Sequence, residues 1–193
     1  MSKGMTLLLA LAVMSAPLQA QQIRPQEATR LAAFDEIAGR ALLRAMALGA
    51  RGDVDMLQEA LSGAPLPPLE TSLEGDWSCR TLKLGELVPL VVYAAFKCRI
   101  SRDGAQFRLE KLTGSQRSTG TIQMRDGQMI YLGVGTVGDA PAVAYDSLAP
   151  DFEGDGEVQP QVGIVEQPSP NAARILFPAP VTESEFDILS LTR

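Results

Sequence analysis

The apolar positions along this chain change period once. Between residues 21 and 62 they recur at steps of three and four: Leu31, Phe34, Ala38, Ala41, Leu42, Ala45 and Leu48 make one stripe, entered through Pro25 and interrupted by Gly49 and Gly52. Asp53 is a good N-cap for a second, shorter helix over 54–61, in which Met56, Leu57 and Ala60 repeat the step and after which Gly63 stops it. The pattern predicts an N-terminal helical hairpin over 21–62 with one apolar face, suited to packing on a sheet or to docking another protein. Residues 63–72 carry three prolines, which forbid helix and favour an extended connector.

From residue 73 onward apolar residues fall in short runs separated by turns at about eight- to twelve-residue spacing. Asp103-Gly104 and Asp126-Gly127 are the strongest hairpin signals. The runs predict strands over 76–84, 89–100, 106–113, 116–124, 128–137, 142–148, 159–166, 174–177 and 186–192. Strands that follow one another without helices predict a mainly β fold, an antiparallel meander over 73–193 that closes into a small β-barrel. A β-sandwich is the alternative; closure is preferred because it leaves no unpaired edges.

The stretch from Glu74 to Ser101 organises the rest. Two apolar, β-branched and aromatic runs bracket a short loop, and each holds one cysteine followed directly by an arginine, which predicts a hairpin stapled by a Cys79–Cys98 disulfide. With Cys79 opposite Cys98, Trp77 would face Ile100 and Thr81 would face Phe96, placing Trp77, Phe96 and Ile100 on one side of the sheet. Arg80 and Arg99 would then meet on the other side, near Lys97. They would need acids such as Glu110, Asp35 or Glu36, or else an anionic ligand.

Composition narrows the function. Seventeen basic residues stand against twenty-three acidic ones, for a net charge of −6, so nucleic acid is not an expected partner. The chain has no histidine, which removes Ser-His and Cys-His catalysis and imidazole metal ligation. Residues 1–20 have the layout of a secretory signal peptide, with Lys3, an apolar run over 5–16 and small residues toward Ala20. Cleavage there leaves no span of the roughly 20 apolar residues that a membrane helix needs. Export to the periplasm or beyond also makes two cysteines read as one structural bridge. No cofactor and no metal site are expected.

Two stretches carry candidate chemistry. Residues 109–120 gather hydroxyls, an amide and cations at one hairpin end, where Lys111, Thr113, Ser115, Gln116 and Arg117 could cradle an anionic or sugar-like ligand. A Ser-Lys dyad of Ser115 or Ser118 with Lys111 is a lesser, hydrolytic reading. Residues 151–157 space acids like the front of a calcium loop, but Val162 stands where the bidentate glutamate belongs, so a solvated acidic loop is expected.

Gly75-Asp-Trp77 resembles the opening strand of lipocalin-type barrels, in which a Gly-x-Trp plugs the closed end and a late arginine crosses the ring. That resemblance implies structural roles for Gly75, Trp77 and Arg193. Nine strands would set Arg193 at the far end from Trp77, and 142–148 is the weakest member to count within the barrel.

A wider resemblance, over about 24–193, is to a family of small exported bacterial proteins known only as a domain of unknown function. It rests on Gly75-Asp-Trp-Ser-Cys-Arg-Thr-Leu-Lys-Leu-Gly85, Phe96-Lys-Cys-Arg-Ile100, Leu109-Glu-Lys-Leu-Thr-Gly-Ser-Gln-Arg117 and Glu183-Ser-Glu-Phe186. The opening is also similar to that of small barrel inhibitors of secreted metalloproteases, whose N-terminal segment enters the protease cleft. The expected function is a non-catalytic binding module for a small molecule or an envelope protein. An inhibitor or accessory partner of a secreted hydrolase is the alternative.

Overall fold

A computed structural model describes residues 21–85 and 88–193. The expected signal peptide lies outside the described residues. The helical stripe forms α1 (Pro25–Ala32), α2 (Phe34–Leu48) and α3 (Arg51–Leu61). The single first helix that the stripe implied is thus broken, at Ala33 (φ −92°, ψ 8°). The break has a packing reason: Leu31 of α1 joins one apolar cluster, with Ile130, Leu132 and Tyr145, while Phe34 and Ala38 of α2 join another, with Leu82, Leu176 and Ile188. A straight helix could not follow the curved surface from one cluster to the other. The third helix starts earlier than expected, with Ala50 as its N-cap, and Asp53 sits within its first turn, where the helix dipole favours an acid.

The strands are β1 (Gly75–Leu84), β2 (Val91–Val92), β3 (Phe96–Asp103), β4 (Gln106–Lys111), β5 (Gln116–Arg125), β6 (Gln128–Val137), β7 (Val158–Ser169), β8 (Ala172–Pro178) and β9 (Phe186–Thr192). Each pairs antiparallel with the next along the barrel, and β1 pairs with β9, so β1 and β3 to β9 close an eight-stranded barrel with β2 as an extra strand beside β1. The barrel, not the sandwich, is the architecture.

The expected strand over 142–148 is absent; that stretch holds a single 3₁₀ turn, Tyr145–Ser147, which tucks the Tyr145 ring against the outer face of β6. Its loss leaves eight strands in the barrel and sets Arg193 beside Trp77. The expected strand over 89–100 is interrupted at 93–95. Leu82 pairs with Val92 and Cys79 with Phe96, so three steps on β1 match four on its partner, a one-residue bulge.

The disulfide joins Cys79 to Cys98, with their Cα atoms 5.8 Å apart, but the residues are diagonal neighbours rather than opposite ones. Trp77 pairs with Cys98, Cys79 with Phe96 and Gly75 with Ile100. This two-residue shift corrects the expected pairings of Trp77 with Ile100 and of Thr81 with Phe96. An even shift keeps every side chain on its face, so Trp77, Phe96 and Ile100 still share the barrel core.

Alternate residues of the eight barrel strands fill the interior, including Trp77, Cys79, Ile100, Leu109, Ile122 and Leu191. Trp77 closes one end. Its indole Nε1 donates to the Leu73 carbonyl at 2.8 Å, and the Arg193 guanidinium lies 4.1 Å from the ring centroid while donating to the carbonyls of Ser72, Glu74 and Pro170. Gly75 is required there, because its φ of 137° disfavours a side chain and a Cβ would stand 2.8 Å from the Arg193 guanidinium. At mid-barrel the fully buried Tyr131 meets Phe177 edge to face at 5.6 Å. Gly120 and Gly133 clear its path, since a Cβ on either would come within 2.7 Å of the Tyr131 side chain.

Candidate functional site

Past Tyr131 the interior changes character. Every second residue of β1 runs Trp77, Cys79, Thr81, Lys83, and of β9 runs Leu191, Leu189, Asp187, so both strands pass from apolar to polar toward the same end. On β4 and β5 the same alternation carries Leu109 to Lys111, and Ile122 to Ser118 and Gln116. The polar members of these runs line a partly open chamber of about 60 Å³ at the mouth of the barrel, with Phe177 toward its floor and Arg30, Arg117 and Thr182 toward its rim.

Charge is held inside this mouth. Lys111 is only 8% exposed; its Nζ donates to the Gln116 carbonyl at 2.8 Å and lies 4.5 Å from the Phe96 ring centroid. Burial pushes the Lys111 amine below its ordinary pKa, Lys83 adds to this, and Asp187 partly restores it. Lys83, also buried, forms an ion pair with Glu183 of the β8–β9 loop, and that pair holds the Glu183 carboxyl below its usual range. Asp187 accepts the Ser184 hydroxyl at 2.6 Å. Burial pushes its pKa up to about 6, and the Glu183 charge adds to that push, against the pull of Ser184, Lys83 and Lys111.

Arg30 reaches the rim because α1 is clamped to the barrel. Glu27 is fully buried, receives hydrogen bonds from Arg24 and Arg30, and accepts the Tyr145 hydroxyl at 2.8 Å. Arg30 in turn donates to the carbonyls of Ala179 and Pro160.

Of the residues singled out from the sequence, Lys111, Gln116 and Arg117 line the mouth. Thr113 and Ser115 do not: the Thr113 hydroxyl accepts the Lys97 N–H at 2.9 Å, and the Ser115 carbonyl accepts the Gly138 N–H at 2.8 Å. The expected meeting of Arg80 with Arg99 does not occur. Arg99 pairs with Asp76 at 2.7 Å, whereas Arg80 lies four residues further along β1, ~13 Å away at the rise of a strand, and donates to the Met56 sulfur of α3. The two-residue register shift is what separates them. Arg80 instead lines an outer groove of about 280 Å³ between α3 and the barrel.

Ser118 faces Lys111 one step beyond the Glu110–Thr119 pair, but no hydrogen bond joins the two. In the acidic loop, Asp155 accepts the N–H groups of Glu157 and Val158, so its carboxylate is engaged in turning the chain. Sequence reasoning missed Thr81, Lys83 and Asp187. Counting every second residue from Trp77, and back from Leu191, was the signal that reaches them.

Fold and site define a class: a closed eight-stranded antiparallel barrel, flanked by helices, with a plugged apolar end and a charged mouth. The chain belongs to the family described as Domain of unknown function (DUF4893), which matches residues 20–191 and so takes in helices and barrel together. No curated protein and no solved structure matches it. Among the described residues, no helix is long and apolar enough to cross a membrane.

Proposed function

We propose that the protein is a non-catalytic binding module of the cell envelope that takes a small ligand, or the end of a larger one, in the mouth of its barrel. The observation that carries this reading is the pair of buried lysines, Lys83 and Lys111, which with the half-buried Asp187 line one partly open chamber. Burying charge costs several kcal/mol per ion, and a barrel built for stability alone would fill its mouth with apolar side chains, as its other end does.

The chamber limits the ligand. A water needs roughly 10–15 Å³ of such space, so about 60 Å³ holds a group of four or five heavy atoms. Pockets for drug-sized molecules run to several hundred Å³, so the extended ligands that lipocalin-type barrels suggest have no room here. Export is supported by the disulfide, which persists in oxidising compartments, and by the apolar leader read from the sequence.

Nuclear magnetic resonance titration of the purified protein with a panel of small polar compounds tests the reading. Amide signals of residues 81–83, 111–118 and 187 should move together on binding. Turnover of a substrate, or binding mapped only to other surfaces, would reject it. For export, protein recovered from the periplasm should begin at Gln21.

The second reading, a partner of a secreted hydrolase, rests on α2, which presents Leu43 and Leu48 to solvent at 75% and 68% exposure. Leu43→Glu combined with Leu48→Glu would abolish a protein partnership of that kind and leave the mouth untouched.

A further inference from the structure

We infer that the group received by the mouth is a small oxyanion, of carboxylate or tetrahedral type, held by Lys111 with Ser118 and Lys83, and that Asp187 must surrender its negative charge to admit it. This rests on the proposal that the mouth is the binding site.

An ammonium carries three N–H donors, and Lys111 uses one of them, on the Gln116 carbonyl. Among the described residues no acid lies within ion-pair distance of it, so a buried cation keeps unspent donors at the wall of the chamber. Directly across the β4–β5 ladder, the half-buried Ser118 can present its hydroxyl to the same space. Lys83 is engaged by Glu183, but that carboxylate belongs to a loop and is 53% exposed, so an incoming anion can displace it without unmaking any strand. Arg117 and Arg30 stand at the rim.

The alternatives fit poorly. A cationic ligand would meet Lys83, Lys111 and two rim arginines. An apolar one would cover the free donors of Lys111 and leave them without partners, the costly case for a buried polar group. An oxyanion supplies acceptor oxygens where the donors are, and a phosphate, sulfate or carboxylate matches the size of the chamber.

Asp187 sets the condition. The charged groups around it are Lys83 on β1, Lys111 on β4 and Glu183 on the β8–β9 loop, with the Ser184 hydroxyl bonded to it. While ionised, Asp187 offsets the lysines and repels a second anion. Once protonated it is neutral and can itself donate a hydrogen bond. Linkage then requires that anion binding and proton uptake favour each other.

The test titrates the purified protein with inorganic phosphate, sulfate and acetate, and with glycerol and an uncharged sugar as neutral probes, at pH 5.5 and 7.5. At least one anion should shift the mouth amides and bind at least about fivefold more tightly at pH 5.5. The anion that binds separates tetrahedral from carboxylate recognition. Lys111→Gln should weaken that binding at least about tenfold, the range of a lost charge-assisted hydrogen bond. Phosphate and acetate change their own ionisation between these pH values, so affinities are compared per anionic form, with sulfate as the anion of constant charge. On that basis Asp187→Asn should bind at pH 7.5 as well as the native protein does at pH 5.5, and a retained pH dependence would overturn the role of Asp187. Circular dichroism confirms that each variant is folded, and Ser118→Ala serves as a milder second probe. Neutral probes moving the mouth amides while no anion does would overturn this inference and leave the binding module standing. A mouth inert to every probe would remove both.

Discussion

At one end of the barrel Arg193 lies outside the core on the Trp77 ring and places its donors on three backbone carbonyls; at the other end Lys111 lies inside the wall and places one. Both ends use a cation against an aromatic ring, since Lys111 also sits over Phe96. The difference is in what remains. The plugged end has satisfied its polar groups and kept its charge near solvent, whereas the mouth holds two lysines and an aspartate within a few side chains of one another. Stability explains the first arrangement. The second costs stability, and the ligand proposed for the mouth would account for that cost.

The comparison can be broken most severely at the plug. Trp77→Ala should cost about 3–5 kcal/mol, read as a fall in urea midpoint, because it empties the core position and removes the platform for Arg193. A cost below about 1 kcal/mol would mean that the plugged end is not what holds the barrel. Replacing both cysteines by alanine should cost on the order of 3 kcal/mol, since the bridge closes a separation of 19 residues in the unfolded chain.

Substitutions at the mouth should act in the opposite direction. Asp187 ionises near its ordinary 3.8 in the unfolded chain and at about 6 in the folded one, so folding takes up a proton between those values. Its contribution is complete below about 3.8 and is lost as pH rises through about 6. Asp187→Asn, which can still accept the Ser184 hydroxyl, should therefore raise stability by up to about 2–3 kcal/mol at pH 7.5, with the gain fading toward pH 4. Thermal melts across that range check the sign, and a gain that grows on acidification would refute it. The smallest effect is expected from Lys111→Met, which exchanges a buried charge for an apolar side chain and should stabilise by about 1 kcal/mol. If it instead destabilises strongly, Lys111 is a structural member of the wall.

The plugged end was the more legible of the two. Trp77, Cys79, Cys98 and Ile100 lie within one hairpin, where period-two alternation alone assigns them to a common face, and Gly75 beside a late Arg193 suggested the closure that the fold contains. The errors were errors of count. A diagonal rather than direct disulfide moved the register of β1 with β3 by two, which spared the faces but separated Arg80 from Arg99, and the bulge at 93–95 moved it by one more at β2. The stretch 142–148 has strand-like composition, yet Tyr145 is more useful outside the barrel, where its hydroxyl bonds to Glu27 and helps to clamp α1.

By itself the sequence determined the strand periodicity, the bridge between the only two cysteines, and a polar cluster around Lys111 and Gln116. It could not show that Lys83, Lys111 and Asp187, drawn from strands far apart in the chain, share one chamber. Alternation tells which side chains lie on the same side of a strand, but not how far along the barrel axis each one falls. That distance is fixed when β1 pairs with β9 and the staggered strands close, and only then do two lysines and an aspartate become neighbours.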